Sequence, residues 1–324
     1  MAEGLQSPPK SIEKRTMTTS LRIGTRGSLL ALAQAHETRD RLMAAHPHLA
    51  SPGAIEIVVI KTTGDQILDR TLSEAGGKGL FTKELEDALL GNRVDLAVHS
   101  MKDVPTWLPD GLEIATLLPR EDPRDAFFSR SGEGLDTLPA GSVVGTAGLR
   151  RQAQILERRP DLKVVPLRGN VQTRLKKLDA GEVDATLLAL AGLRRLGLTD
   201  RITAVLEPET MLPAVAQGAI GIEIRSNDDR TRALLAPLHC AGTAVRVTAE
   251  RALLAMLDGS CRTPIAALAR LDGDELTLDT KVLSPDGRQV FTAHRKGKAG
   301  DAAALGTDAG AEIKAQLPPG FFLP

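Results

Sequence analysis

Residues 21–28 read Leu21-Arg22-Ile23-Gly24-Thr25-Arg26-Gly27-Ser28, a short apolar segment that ends in polar and basic residues. The apolar part predicts a buried strand. Ser28 is a residue type that caps helices, and the apolar periodicity after it predicts a helix that continues through Leu42. A strand that leads directly into a helix is the first half of a parallel β-α-β unit. The segment therefore predicts an α/β fold for the chain that follows it.

The alternation of strand and helix continues on both sides of a polar break at residues 120–123. The further predicted strands are Ile57–Lys61, Val94–His99, Ser142–Thr146, Lys163–Leu167 and Asp184–Leu190. The predicted helices are Phe81–Leu90, Leu149–Glu157 and Val171–Leu178. A later strand at Ala219–Arg225 is predicted to rejoin the first unit. Such a return would place a cleft between two α/β domains, with two connecting segments between them.

The last part of the chain has a different pattern. A periodic helix is predicted at Thr243–Leu257, and the segments Leu276–Leu283 and Gln289–His294 flank a Ser-Pro-Asp-Gly turn that is typical of a hairpin. A closing helix is predicted at Ala302–Leu317. These elements predict a small α+β domain. The expected domains are a disordered leader at 1–20, a first domain at 21–118 with 219–237, a second at 119–218 and a third at 238–324.

The composition disfavours several classes of protein. The chain has 324 residues, and its 41 Lys+Arg balance its 41 Asp+Glu, which argues against a general binder of polyanions. Aromatic residues make up only 2%, too few for a platform on which nucleic-acid bases stack. The six histidines show no metal-ligand spacing, so no metal is expected. No membrane-spanning run and no secretory signal are recognisable, and a cytoplasmic protein is expected.

Polar residues collect where predicted strands meet helices, at residues 25–28, 99–103, 145–151 and 168–174. Ligands of open α/β sheets bind at this edge, and each junction supplies an arginine or a lysine. A single junction of this kind is more often a capped helix with a solvated basic turn. Four of them favour a cleft that holds carboxylates or phosphates, which arginine binds through two parallel hydrogen bonds. No nucleotide-binding loop is present.

Three further residues are candidates for chemistry. Asp103 follows a buried strand in basic surroundings, where it either caps a turn or pairs with Lys102, or else holds a cationic group. Cys261 lies in a glycine-containing loop, and Cys240 lies just before a helix. Either cysteine is also compatible with an ordinary, inert thiol.

Taken together, these segments resemble the porphobilinogen deaminase (hydroxymethylbilane synthase) family. The resemblance extends from about Leu21 to the end of the chain. The motifs that carry it are Arg22–Arg26, Gly76–Phe81, Ala97–Pro105, Arg120–Ala126, Leu167–Val171, Pro213–Gly218 and Ala249–Ala252. It implies three domains, of which the first two are α/β domains like those of periplasmic solute-binding proteins and flank a cleft, and the third is small and α+β.

The resemblance also implies a function. The family condenses four porphobilinogen molecules head to tail into the linear tetrapyrrole hydroxymethylbilane and releases ammonia each time, in tetrapyrrole (haem) biosynthesis. The reaction starts on a dipyrromethane cofactor held by a thioether to a cysteine, which corresponds to Cys261. The matching catalytic residues are Asp103 and Lys102, which also contact the cofactor. The other cofactor-binding residues are Thr146, Gly148, Arg150, Arg151 and Arg174. The substrate-binding residues are Arg26, Ser28, Lys78, Phe81, Arg168 and Arg195. A monomer is expected.

The chain departs from the family pattern at two places. Ala147-Gly148 replaces a pair of serines before Leu149-Arg150-Arg151, so Thr146 and backbone N–H groups are expected to take over their hydrogen bonds. Ser260 replaces a glycine before Cys261. The alternatives are a non-catalytic anion- or solute-binding protein of the same fold, which needs neither Cys261 nor Asp103, and a redox regulator that uses Cys261.

Overall fold

The computed structural model describes residues 20–66, 79–258 and 263–321. The strands within these ranges are β1 (Leu21–Arg26), β2 (Ile55–Ile60), β3 (Leu96–Ser100), β4 (Leu112–Leu117), β5 (Asp125–Ser129), β6 (Val143–Gly145), β7 (Lys163–Val165), β8 (Ala185–Ala189), β9 (Ala204–Leu206), β10 (Ile220–Arg225), β11 (Ile265–Asp272), β12 (Glu275–Leu283) and β13 (Val290–Lys298). The helices are α1 (Leu29–Ala45), α2 (Thr63–Gln66), α3 (Lys83–Leu90), α4 (Leu149–Arg158), α5 (Val171–Asp179), α6 (Leu190–Leu196), α7 (Asp229–Leu235), α8 (Ala241–Met256) and α9 (Ala302–Gln316). The predicted leader lies almost entirely outside the described residues.

The first sheet has the strand order β2-β1-β3-β10-β4. Strand β1 is parallel to β2 and to β3, whereas β10 is antiparallel to β3 and to β4. The side chains of Ile23, Val98 and Ile222 pack in one apolar cluster that includes Leu42 of α1. Because β1 and β3 are parallel, their carboxyl ends meet at the same edge of the sheet. Ligands of open α/β sheets bind at this edge.

The second sheet repeats this arrangement with the strand order β7-β6-β8-β5-β9. Strand β6 is parallel to β7 and β8, and β5 is antiparallel to β8 and β9. Residues 118–124 lead from the first sheet into β5, and residues 207–219 lead from β9 back to β10. The first and second sheets are thus joined by two crossover segments, because β10 returns to the sheet in which the chain started.

The third sheet is antiparallel, with the order β11-β12-β13, and α8 and α9 pack against it. The two helices approach so closely that a side chain at Gly306 would collide with the carbonyl oxygen of Ala249. A buried ion pair connects this unit to the first crossover, because the Arg120 guanidinium lies 2.7 Å from the Glu250 carboxylate. Glu250 also accepts a hydrogen bond of 2.6 Å from the backbone N–H of Ala216 in the second crossover.

The predicted fold class is confirmed: two α/β units are followed by a small α+β unit. The predicted strand at Leu21–Arg26 has the observed bounds, and Ser28 caps α1 by accepting a hydrogen bond of 3.2 Å from Ala31 N–H. The predicted hairpin forms around residues 284–287. The elements that the sequence pattern missed are β4, β5, β9, β11, α2 and α7. The domain boundaries given above stay predictions.

Candidate active site

A large cavity among the described residues lies between the first two sheets and has a volume of about 900 Å³. Segments that follow β1, β3, β6 and β7 line it, together with parts of the second crossover. Eight basic side chains and one carboxylate, that of Asp103, face it. The basic residues are Arg26, Lys61, Lys102, Arg150, Arg151, Arg168, Arg174 and Lys177. The cavity is therefore built for a ligand with several negative charges.

A second cavity of about 410 Å³ lies beside the first crossover. Three of its arginines each have a carboxylate partner of their own, whereas Arg150 and Arg151 of the large cavity share the single carboxylate of Asp125. These ion pairs are Arg120 with Glu250, Arg124 with Glu207, and Arg270 with Asp279. A paired guanidinium has less charge to offer a ligand, so the large cavity is the better candidate for binding a polyanion.

Asp103 is the last residue of a short 3₁₀ turn that follows β3, and Ser100 occupies the N-cap position of that turn. Asp103 therefore does not cap the turn, and its carboxylate lines the large cavity. The nearest described cation is Arg26 at the end of β1, whose Nη1 lies 3.9 Å from Asp103 Oδ2. The Arg26 guanidinium also stacks on Phe81, 4.1 Å from the ring centroid. The meeting of β1 and β3 thus brings Arg26 and Asp103 together, and the segment before α3 adds Phe81.

Lys102 lines the same cavity beside Asp103. The pKa of Lys102 is lowered to about 8, mainly by burial; Asp103 opposes the shift, and the positive charge of Arg151 contributes to it. The ammonium group is therefore less stable here than in water. An anionic ligand beside Lys102 would restore the charged form, so ligand binding and protonation of this lysine are coupled.

Arg150 and Arg151, in the first turn of α4, share one buried carboxylate that the sequence analysis did not single out. Asp125, the first residue of β5, lies 2.7 Å from each of the two guanidiniums. Burial alone would raise the pKa of Asp125, but the two arginines outweigh burial and hold it well below its usual range. The cluster keeps one net positive charge, so it still attracts an anion.

A second basic group follows β7. Burial lowers the pKa of Arg174 to about 10, and the neighbouring Arg151 and Arg168 add to this effect. The Arg174 Nε donates a hydrogen bond of 2.8 Å to the carbonyl oxygen of Gly169, whose φ of +119° suits glycine. Such crowding of like charges is costly without an anion, which indicates that this group binds one.

Three buried side-chain atoms of the cavity lining have no hydrogen-bond partner within the described residues. They are Nε of Arg151, Nη1 of Arg168 and Oε1 of Gln217. Buried polar groups are normally satisfied, so unsatisfied ones at a cavity indicate where a ligand binds. The first two atoms require an acceptor such as a carboxylate, and the third requires an N–H or O–H donor.

The remaining predicted residues have different positions. Thr146 is buried and accepts a weak hydrogen bond of 3.3 Å from the N–H of Gly148, which is the N-cap residue of α4. Arg195 does not line the large cavity. Its Nε lies 3.2 Å from Glu37 of α1, and its Nη2 lies 3.1 Å from the carbonyl oxygen of Gly218, so in this structure it links α6 to α1 and to the second crossover. Lys78 and Cys261 lie outside the described residues.

Four residues at or beside the cavity were not predicted from the sequence: Asp125, Gln217, Lys61 and Lys177. Lys61 directly follows β2, and Arg26 is the last residue of β1, so the rule of looking at strand ends would have found Lys61 as well. Lys177 lies one helical turn after Arg174 and shares its face of α5. Asp125 belongs to the motif at residues 120–126, but only the folded structure places it beside α4. Gln217 belongs to the motif at residues 213–218, with no pattern that marks it as a ligand contact.

None of the helices within the described part of the chain combines the length and the apolar character that a bilayer span requires. The same part of the chain has no group of three His, Cys, Asp or Glu side chains with a geometry that would hold a metal ion.

Comparison with known proteins gives consistent matches along the chain. The family model described as "Porphobilinogen deaminase, dipyromethane cofactor binding domain" matches residues 21–233, and "Porphobilinogen deaminase, C-terminal domain" matches residues 244–315. Porphobilinogen deaminase of Paracoccus denitrificans is 60% identical over 302 residues, covering 93% of this chain and 96% of that protein. The chloroplastic porphobilinogen deaminase of Oryza sativa is 57% identical over 313 residues, covering 96% of this chain and 87% of that protein.

Among solved structures, a TRAP periplasmic solute-binding protein from Desulfovibrio salexigens aligns with a TM-score of 0.41 and 11% identity, covering 68% of this chain and 72% of that one. The two family models together span both α/β units and the C-terminal unit of this chain. Five of the seven motifs quoted from the sequence contribute described residues to the lining of the large cavity. The chain belongs to the porphobilinogen deaminase family, whose first domain model is named for the dipyrromethane cofactor.

Proposed function

We propose that the protein is a hydroxymethylbilane synthase, a transferase that condenses four porphobilinogen molecules head to tail and releases one ammonia for each. The observation that carries this proposal is the 900 Å³ cavity, to whose lining the described residues contribute eight basic side chains and one carboxylate. Each porphobilinogen unit carries an acetate and a propionate, so a growing pyrrole chain is a polyanion. One carboxylate among many cations suits a step in which positive charge develops on such a ligand.

The lining residues fit a dipyrromethane cofactor. Its two rings carry four carboxylates, which match the arginines and lysines of the lining, and two N–H groups, which match the carboxylate of Asp103. Arg150, Arg151 and Arg174 are the proposed partners of its carboxylates, with Thr146 and the N–H of Gly148 beside them. The attachment point, a thioether to Cys261, rests on the family resemblance alone. When bound, the cofactor supplies the pyrrole α-carbon to which new units are added.

Asp103 is the proposed catalytic carboxylate. Loss of ammonia from porphobilinogen leaves an electrophilic azafulvene with cationic character, and a fixed carboxylate stabilises that charge. The described cation nearest to Asp103 is Arg26, whose Nη1 lies 3.9 Å from Asp103 Oδ2. Lys102, beside Asp103, is proposed to bind a ligand carboxylate in its protonated form, which predominates below its pKa of about 8.

Arg26, Ser28, Phe81 and Arg168 line the cavity and are the proposed substrate-binding residues. Lys78 and Arg195 keep this assignment as predictions from the family resemblance. For Arg195, substrate binding would require the side chain to leave Glu37. We further propose that the enzyme acts as a monomer and is cytoplasmic, although the rice relative is chloroplastic.

Two measurements on the purified protein test the proposal. Intact mass spectrometry should show an adduct of two pyrrole units, and porphobilinogen should be converted to hydroxymethylbilane with release of ammonia. A protein that binds porphobilinogen but carries no adduct and releases no ammonia would instead be a binding protein of the same fold.

A further inference from the structure

The short 3₁₀ turn that carries Asp103 is held at both of its ends. At its start, Met101 N–H donates a hydrogen bond of 3.0 Å to the carbonyl oxygen of Ala219, which directly precedes β10. After its end, the carbonyl oxygens of Val104 and Pro105 accept hydrogen bonds from a distant side chain. Asp103 lies between these two anchors and lines the large cavity. The position of its carboxylate therefore depends on both anchors.

The second anchor is the guanidinium of Arg251, which belongs to α8 in the C-terminal unit. Its Nη1 donates to the carbonyl oxygen of Val104 at 2.9 Å, and its Nη2 donates to that of Pro105 at 2.6 Å. Proline has no backbone N–H, so the chain can be held at this residue only through its carbonyl group. A planar guanidinium holds two acceptors in a fixed relative geometry, which a single ammonium group does not.

The charge of Arg251 is costly where it lies. Burial lowers its pKa, and no carboxylate of the residues that the structure describes offsets this effect. A buried charge that lacks an ionic partner costs free energy, and hydrogen bonds to neutral carbonyl groups return only part of that cost. The stability of the C-terminal unit therefore gives little reason for an arginine here. The geometry of the two carbonyl groups gives a better one.

Apolar contacts join the same turn to the C-terminal unit. Met101 and Val104, which stand on either side of Asp103 in the sequence, are 2% and 4% exposed. Both belong to an apolar cluster that includes Leu253 of α8. Helix α8 ends five positions before Cys261, the expected attachment point of the cofactor. One helix is thus connected to the turn of the proposed catalytic carboxylate and, along the chain, to the proposed cofactor cysteine.

We propose that Arg251 is a positioning residue for the reaction: by holding the carbonyl groups of Val104 and Pro105, it fixes the Asp103 carboxylate relative to the C-terminal unit. This inference rests on the proposed function, in which Asp103 stabilises the positive charge that develops as ammonia departs. Arg251 itself does not line the large cavity, so it is assigned no contact with the ligand. A displacement of a reacting group by about 1 Å slows a chemical step strongly, so loss of Arg251 should affect turnover more than binding.

Arg246 provides a matched control. It is also a partly buried arginine of α8 outside the lining of the large cavity, but its Nε donates to the carbonyl oxygen of Gly242 in the same helix, at 2.9 Å. Arg246→Met therefore removes a comparable side chain from α8 without releasing the turn that carries Asp103. The melting temperatures of Arg246→Met and Arg251→Met report any loss of stability separately.

The experiment compares single-turnover ammonia release by the two variants. Intact mass gives the fraction of each protein that carries the two-pyrrole adduct, and the rate is expressed per adduct-carrying molecule. Release by Arg251→Met should be about 10- to 100-fold slower than release by Arg246→Met. The porphobilinogen concentration that gives half of the maximal rate should differ by less than about twofold, because no ligand contact is lost. Equal rates in the two variants would overturn the inference.

A double-mutant cycle separates positioning from a general structural role. If Arg251 acts through Asp103, its removal should matter little once the Asp103 charge is gone. In the Asp103→Asn background, Arg251→Met should therefore lower the remaining rate by no more than about twofold. A purely structural role predicts the same fold loss with and without the Asp103 charge, and that result would refute the inference.

Arg251→Lys is the second variant, and it keeps the test decisive if Arg251→Met does not fold. It retains the charge but lacks the planar fork, so its release rate should also fall below that of Arg246→Met. This loss should likewise disappear in the Asp103→Asn background, and an unchanged rate in Arg251→Lys would contradict the proposed role of the fork. A wild-type protein that acquires no adduct and releases no ammonia would refute the proposed function instead.

Discussion

The carboxylate of Asp125 lies 2.7 Å from the guanidinium of Arg150, and the two side chains are 0% and 8% exposed. Arg151 makes the same contact from the next position of α4. Arg150 and Arg151 line the cavity, whereas Asp125 supports them from behind, so the carboxylate determines where two ligand-binding cations lie. The strength of this arrangement comes from burial, because removing one partner of a buried ion pair leaves the other charge uncompensated.

Replacing Asp125 should therefore destabilise the protein strongly. Asp125→Asn should lower the free energy of unfolding by about 3–5 kcal/mol. The control is Asp136→Asn, which removes the exposed partner of Arg158 and should cost at most about 1 kcal/mol. Urea denaturation at neutral pH measures both values, and similar small losses in the two variants would contradict the assigned role of Asp125.

The stabilisation from Asp125 should also depend on pH. Its folded-state pKa is held below the unfolded-state value of about 3.9, so the contribution is complete above that pH and is lost as the pH falls below it. The difference in stability between the wild type and Asp125→Asn should thus be constant from pH 7 to about pH 5 and should shrink in stronger acid. A difference in stability that grows as the pH falls from 5 to 3 would show that folding raises the pKa of Asp125 instead of lowering it.

Asp103 should be required for turnover rather than for folding. Asp103→Asn keeps the size of the side chain but removes its charge, so turnover should fall by a factor of about 100–1,000. Asp103→Glu keeps the charge but displaces it by one methylene, and it should retain part of the activity. Single-turnover ammonia release and the melting temperature are measured together. Near-normal turnover by a folded Asp103→Asn protein would remove Asp103 from the mechanism.

The two cysteines should behave differently. Cys240 is the N-cap residue of α8 and is not part of the cavity lining, whereas Cys261 matches the cofactor cysteine of the family. Cys261→Ser should abolish both the two-pyrrole adduct and the activity, and Cys240→Ser should keep both. Peptide mass mapping that places the pyrroles on Cys240 would contradict the assignment.

Affinity for porphobilinogen should fall as the pH rises through the pKa of Lys102. Burial lowers that pKa to about 8, so the lysine loses its charge between pH 7 and 9 and a ligand carboxylate loses a partner. Lys102→Arg stays charged over this range and should give a flatter profile. The Michaelis constant measured from pH 6.5 to 9.5 tests this. If the Michaelis constant rises equally with pH in the wild type and in Lys102→Arg, a group other than Lys102 causes the loss of affinity.

The arginines should divide into two groups. Replacement of Arg150, Arg151 or Arg174 by leucine should prevent acquisition of the cofactor, whereas replacement of Arg26, Arg168 or Arg195 should permit assembly but slow elongation. Each lost charge-assisted hydrogen bond should weaken binding of the cofactor or of the growing pyrrole chain by about 1.5–3 kcal/mol. Intact mass gives the cofactor content, and native electrophoresis separates the elongation complexes. The same cofactor content in both groups would contradict the division.

Arg195 needs its own control, because its partner Glu37 belongs to α1 of the first unit. If Arg195 acts only as a link between the units, Glu37→Gln should reproduce the defect of Arg195→Leu. If Arg195 binds substrate, Glu37→Gln should leave elongation close to normal. We expect the second result, and equal defects in elongation would remove Arg195 from the substrate-binding residues.

Local signals accounted for most of the predicted elements. The strand at Leu21–Arg26 and the cap at Ser28 depend on neighbouring residues, and both were predicted correctly. Strand β5 was missed because Asp125 follows a run of charged residues that is typical of a loop, although Asp125 is fully buried. The charge of Asp125 is tolerated there only because two guanidiniums from α4 compensate it.

The sequence by itself determined the α/β architecture, the family and the chemical character of the site, because strand and helix periods, caps and motifs are written in adjacent residues. Only the tertiary structure decided the partners of each charge. Asp125 meets Arg150 across 25 positions and Gln217 across 92, and Arg195 meets Glu37 across 158. Such pairings depend on which strand ends the returning β10 brings together and on which groups lose water there, and no local pattern encodes either.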